Sequence, residues 1–188
     1  LRVDRDNAIL WARAVLSDPS TVIILDTETT GLDISAEIVQ ISLITIDGAC
    51  LFDSLAKPTQ PIPPEASAIH HITDLDVAQA PSFDMIYDRL KALLEGKRVV
   101  IYNAGFDIQM LRQSGRHYHL PALTIKKTCC MEMYAQFIGD WSDYFHDYRW
   151  QSLPGGDHTA RGDCLATLEL IKMMASTSLS SESVTLQR

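Results

Sequence analysis

The sequence predicts an α/β protein with a mixed central β-sheet flanked by helices. Three observations support this prediction: short β-branched runs alternate with amphipathic segments, a hairpin signal joins two early strands, and no repeat or linker divides the chain. The 188 residues, 46% of them hydrophobic, suit one domain with its own core. The expected organisation is a leading helix in residues 1–20, the main domain in residues 21–175 and a disordered tail in residues 176–188.

The first predicted elements are one helix and three strands. Apolar residues at helical spacing predict a helix over residues 4–18, which ends before a proline. Residues 22–25 form a short apolar run, typical of a strand that is covered on both faces. Two further strands are expected over residues 37–47 and 50–56, because the Asp-Gly pair between them is a strong hairpin turn signal.

The middle of the chain repeats the order of strand and helix. The proline-rich residues 57–64 are interpreted as a connection, and residues 82–96 as a helix with a serine cap and a terminal glycine. Residues 98–102 then predict a buried strand, and Asn103 is a suitable cap for the helix that follows it.

The last third contains a predicted helix over residues 126–139, an irregular segment over residues 140–157 and a final helix over residues 159–175. Aromatic residues are concentrated in the irregular segment. They are interpreted as packing residues, with stacking on single-stranded bases as the alternative. They are Trp141, Tyr144, Phe145, Tyr148 and Trp150.

The charge and composition exclude several classes of protein. Sixteen Lys and Arg residues against 24 Asp and Glu residues give a net charge of −8, so nucleic acid would be repelled unless local basic groups or bound cations hold it. No apolar run reaches the ~20 residues of a membrane span, and no signal peptide pattern is seen, so we expect a cytoplasmic protein without a membrane partner. The four cysteines lack a CxxC pair and are expected to be reduced thiols.

Two carboxylates follow the first strand. Asp26 and Glu28 are two residues apart, so both side chains point to one side of the strand while Thr27 points to the other. Neighbouring carboxylates raise each other's pKa, and a pair that stays ionised requires a cation between the two groups. Oxygen ligands of this kind suit Mg²⁺ or Mn²⁺.

A pair of acids after a strand is also common as a turn cap or a surface ion pair. Two further motifs favour a functional explanation here. DTETTG occupies residues 26–31, NAGFD occupies residues 103–107 and HTARGD occupies residues 158–163, at a strand end, a helix start and a final helix.

These motifs resemble those of the DEDDh 3′→5′ exonucleases, a group that includes the proofreading epsilon subunit of bacterial DNA polymerase III, RNase T and oligoribonuclease. The resemblance spans residues 22–175 and includes an H-x-I-T segment, in which His71 stands where many members have glycine. It implies an RNase H-like exonuclease fold. All five signature positions are present: Asp26, Glu28, Asp107, His158 and Asp163.

The resemblance implies a catalytic site with two divalent ions, Mg²⁺ or Mn²⁺. Asp26 would bridge both ions, Glu28 and Asp163 would complete the shell of one, Asp107 would act through water, and His158 would be the general base. The implied substrate-binding residues are Thr27, Thr29, Gly31, Leu32, His70, Asn103 and Phe106. Three of them have a structural alternative: Leu32 could fold into the core, Asn103 could be only a helix cap, and Phe106 could be a core residue.

The expected activity is hydrolysis at the free 3′-OH end of nucleic acid, with single-stranded DNA preferred and nucleoside 5′-monophosphates released. The resemblance also points to a polymerase, or another replication or repair protein, as a partner. Two alternatives stay open at this point. One is an RNA-trimming exoribonuclease of the RNase T or oligoribonuclease kind, and the other is a non-catalytic interaction module of a polymerase or repair assembly.

Overall fold

The computed structural model describes residues 2–180, which form a five-stranded sheet, a small two-stranded hairpin and helices on both faces of the larger sheet. In chain order the elements are α1 (Arg2–Leu16), β1 (Val22–Thr29), β2 (Ile38–Thr45), β3 (Cys50–Leu55), α2 (Pro64–His70), α3 (Asp74–Val77), α4 (Phe83–Leu94), β4 (Arg98–Ile101), α5 (Ala104–His117), β5 (Lys126–Cys129), α6 (Cys130–Ile138), β6 (Trp141–Ser142), β7 (Asp147–Tyr148) and α7 (Ala160–Ser176).

The large sheet is mixed, as the sequence predicts. Its strand order is β3-β2-β1-β4-β5, with antiparallel pairs from β1 to β3 and parallel pairs from β1 through β4 to β5. The central strand β1 therefore has neighbours on both sides, and its buried residues Val22, Ile23, Ile24 and Leu25 contribute to both faces of the sheet. The last residue of β4, Ile101, pairs with Leu25, so Asp26 and the residues after it extend beyond the end of β4.

Side-chain alternation along β1 divides the core into two layers. Leu25 belongs to a cluster that includes residues of α4 and α5, whereas Ile24 belongs to a cluster that includes residues of α1, α6 and α7. A residue of β1 with an even number therefore faces α7, and one with an odd number faces α5. This rule decides which acids meet at the end of the strand.

Two short helices, α2 and α3, lie between β3 and α4, in a region that begins with the predicted proline-rich connection. Proline at the start of α2 fits the first helical turn, and Thr73 forms a reciprocal capping box with Asp76 at the start of α3. Ile62, Ile72 and their neighbours form a small separate core beneath these helices. His71 ends α2 in the left-handed conformation, with φ of 61°, which glycine adopts most easily.

The prediction of a single helix over residues 126–139 is wrong for the first four residues. Lys126–Cys129 form the edge strand β5, because their backbone pairs in parallel with β4, and the helix begins only at Cys130. The segment expected to be irregular contains the hairpin β6–β7, in which Trp141 pairs with Tyr148. The packing interpretation is wrong for Tyr144, Phe145 and Trp150, which are largely exposed, whereas Trp141 and the half-buried Tyr148 pack against each other.

Helix α1 packs against α6 and α7 and closes one face of the sheet. The residues after α7 continue along it: Arg13 donates to the carbonyl oxygens of Ala175 and Thr177, and Asp6 accepts from Ser180. The rest of the predicted tail, residues 181–188, lies outside the described residues. No helix within residues 2–180 has the length and apolar character needed to cross a membrane.

Candidate active site

Asp26 and Glu28 lie at the carboxyl end of β1 on the face covered by α7. They meet Asp163, the fourth residue of α7, and one carboxylate oxygen of each of the three residues lies within 4.8 Å of the others. All three side chains are half-buried. The fold therefore brings three carboxylate oxygens around one point, although Asp163 lies far along the chain from Glu28. This donor set fits a divalent cation such as Mg²⁺ or Mn²⁺.

The position of Asp163 depends on how α7 begins. The hydroxyl of Thr159 accepts from the backbone N–H of Gly162 and caps the helix. Gln40, which pairs with Glu28 across the sheet, accepts from the backbone N–H of Ala160 (3.1 Å). The first turn of α7 is thus attached to the strand next to the one that carries Asp26 and Glu28.

The loop before α7 also holds Asp163. One carboxylate oxygen of Asp163 accepts from the backbone N–H groups of Asp157 (2.9 Å) and His158 (3.2 Å). The carboxylate of Asp157 accepts in turn from Thr159 and lies so close to Gly162 that a Cβ atom there would collide with it. A side chain at position 162 would displace the Asp157 carboxylate and disturb its bonds to Thr159, which favours glycine within the first turn of the helix.

Asp107 approaches β1 from the other face of the sheet. It is the fourth residue of α5, is only 3% exposed, and accepts a hydrogen bond from the Thr27 hydroxyl (2.8 Å). Asp107 is not part of the three-carboxylate cluster, but its charge acts on both Asp26 and Glu28. The structure thus brings the four predicted acids to one strand end, three on one face and one on the other.

Burial, followed by the charges of neighbouring acids, raises the pKa of Asp26 and of Glu28, and burial raises that of Asp107. Burial, and then the charges of Asp107, Asp163 and Glu28, raise the pKa of Asp26 well above its ordinary value. Burial, followed by repulsion from Asp163, raises the pKa of Glu28 to about 7. Burial also raises the pKa of Asp107 to about 7, and the hydrogen bond from Thr27 opposes this shift. A cation would remove the repulsion that the charged forms experience.

His158 lies directly beside the cluster in sequence and in space. Its side chain is exposed, and its backbone N–H donates to Asp163. The backbone adopts a left-handed conformation with φ of 58°, which is unusual for a residue other than glycine. His71, His119 and His146 adopt the same conformation, so it does not by itself distinguish His158 as a site residue.

The turn after β1 is held by His70. This residue is buried; its Nδ1 accepts from the backbone N–H of Ile72 (3.1 Å), and its Nε2 lies 3.2 Å from the carbonyl oxygen of Thr29. Nε2 must therefore carry the proton and donate it to Thr29. Burial lowers the pKa of His70, which favours this neutral form. Both ring nitrogens are occupied by the protein, so His70 positions the turn.

The remaining predicted substrate-binding residues differ in their surroundings. Leu32 is 82% exposed and does not fold back into the core. Thr29 donates its hydroxyl to the carbonyl oxygen of Gly31 within the same turn. Asn103 is exposed and makes no side-chain cap, so the predicted capping bond is absent at this described residue. Phe106 packs partly against the core cluster of α4 and α5.

Sequence reasoning missed two residues that organise the site. Gln40 is a polar residue on the α7 face of β2, opposite Glu28, and this position was the available signal. Asp157 immediately precedes the motif that contains His158, and its charge contributes to the raised pKa of Glu28. The bond between Gln40 and Ala160 depends on how α7 docks on the sheet, whereas Asp157 bonds to Thr159 and Asp163 within the start of α7 and the loop before it.

Comparison with known proteins agrees with this geometry. A family model described as exonuclease (RNase T) matches residues 23–171. The chain is 38% identical over 186 residues to the uncharacterized exonuclease CP81 of Escherichia phage 186, and the alignment covers 90% of this chain and 95% of the phage protein. The chain therefore belongs to the exonuclease family, and the resemblance predicted from its motifs is confirmed.

Other relatives are named after the polymerase III epsilon subunit. The chain is 33% identical over 164 residues to an epsilon-like protein of Rhodobacter capsulatus, covering 81% of this chain and 23% of that protein. It is 34% identical over 96 residues to DNA polymerase III subunit epsilon of Escherichia coli, covering 46% of this chain and 40% of that subunit. The chain thus spans less than half the length of these two relatives.

Solved structures with the same fold include two exonucleases with bound DNA. Exonuclease X in complex with 5′ overhanging duplex DNA is 29% identical, with a TM-score of 0.57, and the match covers 84% of this chain and 95% of that chain. Escherichia coli Exonuclease I in complex with a 5cy-dT13 oligonucleotide has a TM-score of 0.69 at 16% identity, covering 88% of this chain and 43% of that chain. The likeness to Exonuclease I concerns the fold alone, and the predicted RNase H-like exonuclease fold is confirmed.

Proposed function

We propose that this exonuclease removes nucleoside 5′-monophosphates stepwise from the 3′ end of single-stranded DNA, with two divalent cations as cofactors. The observation that carries the proposal is the cluster of Asp26, Glu28 and Asp163, whose carboxylate oxygens lie within 4.8 Å of one another. A non-catalytic module would have no need to keep three such acids together at the cost of their mutual repulsion.

Asp26, Glu28 and Asp163 are the residues that would hold the cations, with Asp107 close behind the strand. The oxygen donors suit Mg²⁺ or Mn²⁺ rather than a softer metal. Divalent ions held there would supply Lewis-acid stabilisation of the phosphoryl oxygens and of the leaving oxygen. The protein supplies their position through the cap of α7 and the Gln40–Ala160 hydrogen bond.

His158 is the proposed general base. It accepts a proton from the attacking water, whose oxygen forms a bond to phosphorus while the bond from phosphorus to the 3′ oxygen of the preceding nucleotide breaks. The departing oxygen takes up a proton, so each cycle consumes one water and releases one nucleoside 5′-monophosphate. The exposed position of His158 next to Asp163 leaves its ring accessible to a terminal phosphate.

The turn over residues 29–32 supports recognition of a strand end. Leu32 projects from this turn into solvent, and His70 holds the turn in place through Thr29. An exposed apolar side chain beside the acids can pack against a terminal base, which is easier when the base is not paired. The similarity to epsilon-type proteins supports replication or repair as the setting of this activity.

The test uses a linear single strand with a label at its 5′ end, beside a closed circle of the same sequence, in Mg²⁺ and again in EDTA. We expect a shortening ladder on the linear strand, an intact circle, and no reaction in EDTA. Early release of the labelled nucleotide would reverse the proposed polarity, and full turnover in EDTA would refute the metal requirement. An RNA strand of the same sequence tests the preference for deoxyribose. Faster shortening of RNA than of DNA would identify RNA as the preferred substrate.

A further inference from the structure

The hairpin between α6 and α7 presents an unusual set of aromatic side chains to solvent. We define the aromatic hairpin as residues 140–150, which contain β6 and β7. Tyr144 is 84% exposed, Phe145 is 69% exposed and Trp150 is 70% exposed. Exposed apolar side chains grouped in this way mark an interaction surface rather than a folding requirement.

The aromatic hairpin lies on the same face and at the same edge of the sheet as the three carboxylates. Ile101 of β4 pairs with Leu25 of β1, so Tyr102 is level with Asp26 on the adjacent strand. Tyr102 belongs to the core layer on the α7 side, toward which Asp26 also points. The Tyr102 hydroxyl donates to the carbonyl oxygen of Gln151 (2.7 Å), directly after the hairpin. The residue after the hairpin is therefore attached to the end of β4, beside the strand that carries Asp26.

The aromatic rings are held in a defined arrangement. Trp141 and Tyr148 pack edge to face with ring centroids 5.2 Å apart, and Tyr144 and Phe145 do so at 4.8 Å. Tyr148 is further fixed by a hydrogen bond to Asp4 on α1. Beside these rings an open pocket of about 610 Å³ is lined in part by Phe145, Tyr148 and Trp150. The pocket and the exposed rings offer flat apolar surfaces to a planar group.

We propose that the aromatic hairpin is a stacking platform for the bases of a single strand upstream of the 3′-terminal nucleotide. The inference rests on the proposed function, because it assumes that a strand end occupies the acidic cluster. Stacking on aromatic side chains tolerates any base and suits an enzyme that shortens a strand of any sequence. The platform would supply the affinity that a chain with a net charge of −8 does not gain from its overall charge.

The charged side chains of the aromatic hairpin determine whether the bases or the phosphates of the bound DNA strand face it. Arg149 is already paired with Asp140 (3.7 Å), and Asp143 and Asp147 are exposed beside the rings. These acids repel phosphate groups, so the bases face the hairpin and the backbone faces solvent. Binding through the platform should therefore depend weakly on salt, in contrast to binding through phosphate contacts.

The decisive experiment compares a trinucleotide with a 15-nucleotide single strand as substrates for one triple variant, Tyr144→Ala, Phe145→Ala and Trp150→Ala. We expect KM for the long strand to rise at least about 10-fold, since loss of one stacked base corresponds to roughly 5- to 150-fold in affinity. The kcat on both substrates and the KM for the trinucleotide should stay within about two-fold of wild type.

The matched control replaces two exposed apolar side chains outside the hairpin, Leu75→Ala and Met85→Ala, which are 87% and 72% exposed in the parent chain. It should leave both KM values unchanged. An independent measurement is quenching of tryptophan fluorescence by the 15-nucleotide strand in EDTA, where no hydrolysis occurs. We expect weaker quenching in Trp150→Phe, and little change in the apparent Kd of wild type between low and moderate salt.

Three results would overturn the inference. An equal rise in KM for the trinucleotide and the long strand would mean that the hairpin supports the folding of the site. Unchanged KM values for both substrates would mean that the exposed rings bind a protein partner and not the nucleic acid. A steep salt dependence that disappears in the triple variant would mean phosphate contact instead of stacking. Failure of the proposed function would look different, because wild type would then not shorten either substrate from its 3′ end.

Discussion

The Thr27 hydroxyl donates a hydrogen bond to the Asp107 carboxylate over 2.8 Å, and this bond attaches α5 to the end of β1 on the face opposite the three-carboxylate cluster. Thr27 lies between Asp26 and Glu28, whose side chains point to the opposite face. Asp26 and Glu28 therefore meet Asp163 on one face of the sheet, while Thr27 between them binds Asp107 on the other. Movement of α5 would be transmitted directly to the strand that carries the carboxylates.

Thr27→Val should lower kcat by about 10- to 100-fold, because a hydrogen bond to a charged group contributes roughly 1.5–3 kcal/mol and each tenfold corresponds to 1.4 kcal/mol. Loss of the donor also removes a contact that lowers the pKa of Asp107. Thr27→Ser keeps the hydroxyl and serves as the control in steady-state kinetics. Equal rates for the Val and Ser variants would show that the bond has no part in catalysis.

The stability of the protein without cations should fall as the pH rises from about 5 to 8. The pKa of Glu28 is raised from 4.5 to about 7, so in this window the folded chain binds more protons than the unfolded chain, and raising the pH favours unfolding. The measurement is Tm in EDTA at pH 5.5 and pH 8. Asp26→Asn removes one buried charge, and we expect it to be the more stable protein at pH 8 and to depend less on pH. The same pH dependence in both proteins would contradict this assignment.

His158→Ala should lower kcat by roughly 10²–10⁴-fold, the usual contribution of a general base. The affinity for Mn²⁺ measured by calorimetry should stay within a few-fold of wild type, because the Asp163 oxygen is held by a backbone N–H that the substitution retains. His117→Ala, on an exposed position at the end of α5, is the control. A loss of Mn²⁺ affinity equal to the loss of rate would instead identify His158 as a ligand.

Gly162→Ala should destabilise the protein and reduce activity, although alanine ordinarily stabilises a helix by about 1 kcal/mol relative to glycine. The new Cβ would collide with the Asp157 carboxylate, and Asp157 donates its backbone N–H to Asp163. Gly105→Ala in the first turn of α5 meets only an ordinary contact with Asn103 and should not destabilise. Thermal unfolding of both variants tests this, and equal gains in Tm would contradict the expected collision.

His71→Gly should raise Tm by about 2–4 °C, because a residue with a side chain in the left-handed conformation costs roughly 1 kcal/mol that glycine does not. The side chain of His71 is exposed, so little packing is lost. Ala68→Gly, at an exposed position within the same helix, should lower Tm by a similar amount. A lower Tm in His71→Gly would mean that the imidazole makes a stabilising contact.

Local patterns were sufficient to predict most of the fold and the acidic pair. The alternation of side chains along a strand depends only on neighbouring residues, so the common direction of Asp26 and Glu28 followed from their spacing. Strand β5 was missed because four residues at a sheet edge carry too little pattern, and their conformation is stabilised by parallel pairing with β4. The exposure of Tyr144, Phe145 and Trp150 was also missed, since aromatic residues are more often buried.

The chain's own motifs thus identified the four acids, the histidine and the family to which they belong. The arrangement of these residues depends on contacts between distant parts of the chain: Thr27 with Asp107 and Gln40 with Ala160. Such contacts form only after helices α5 and α7 dock on opposite faces of the sheet. Docking is driven by burial of apolar surface that is spread over the whole chain, and this is why no local pattern could reveal them.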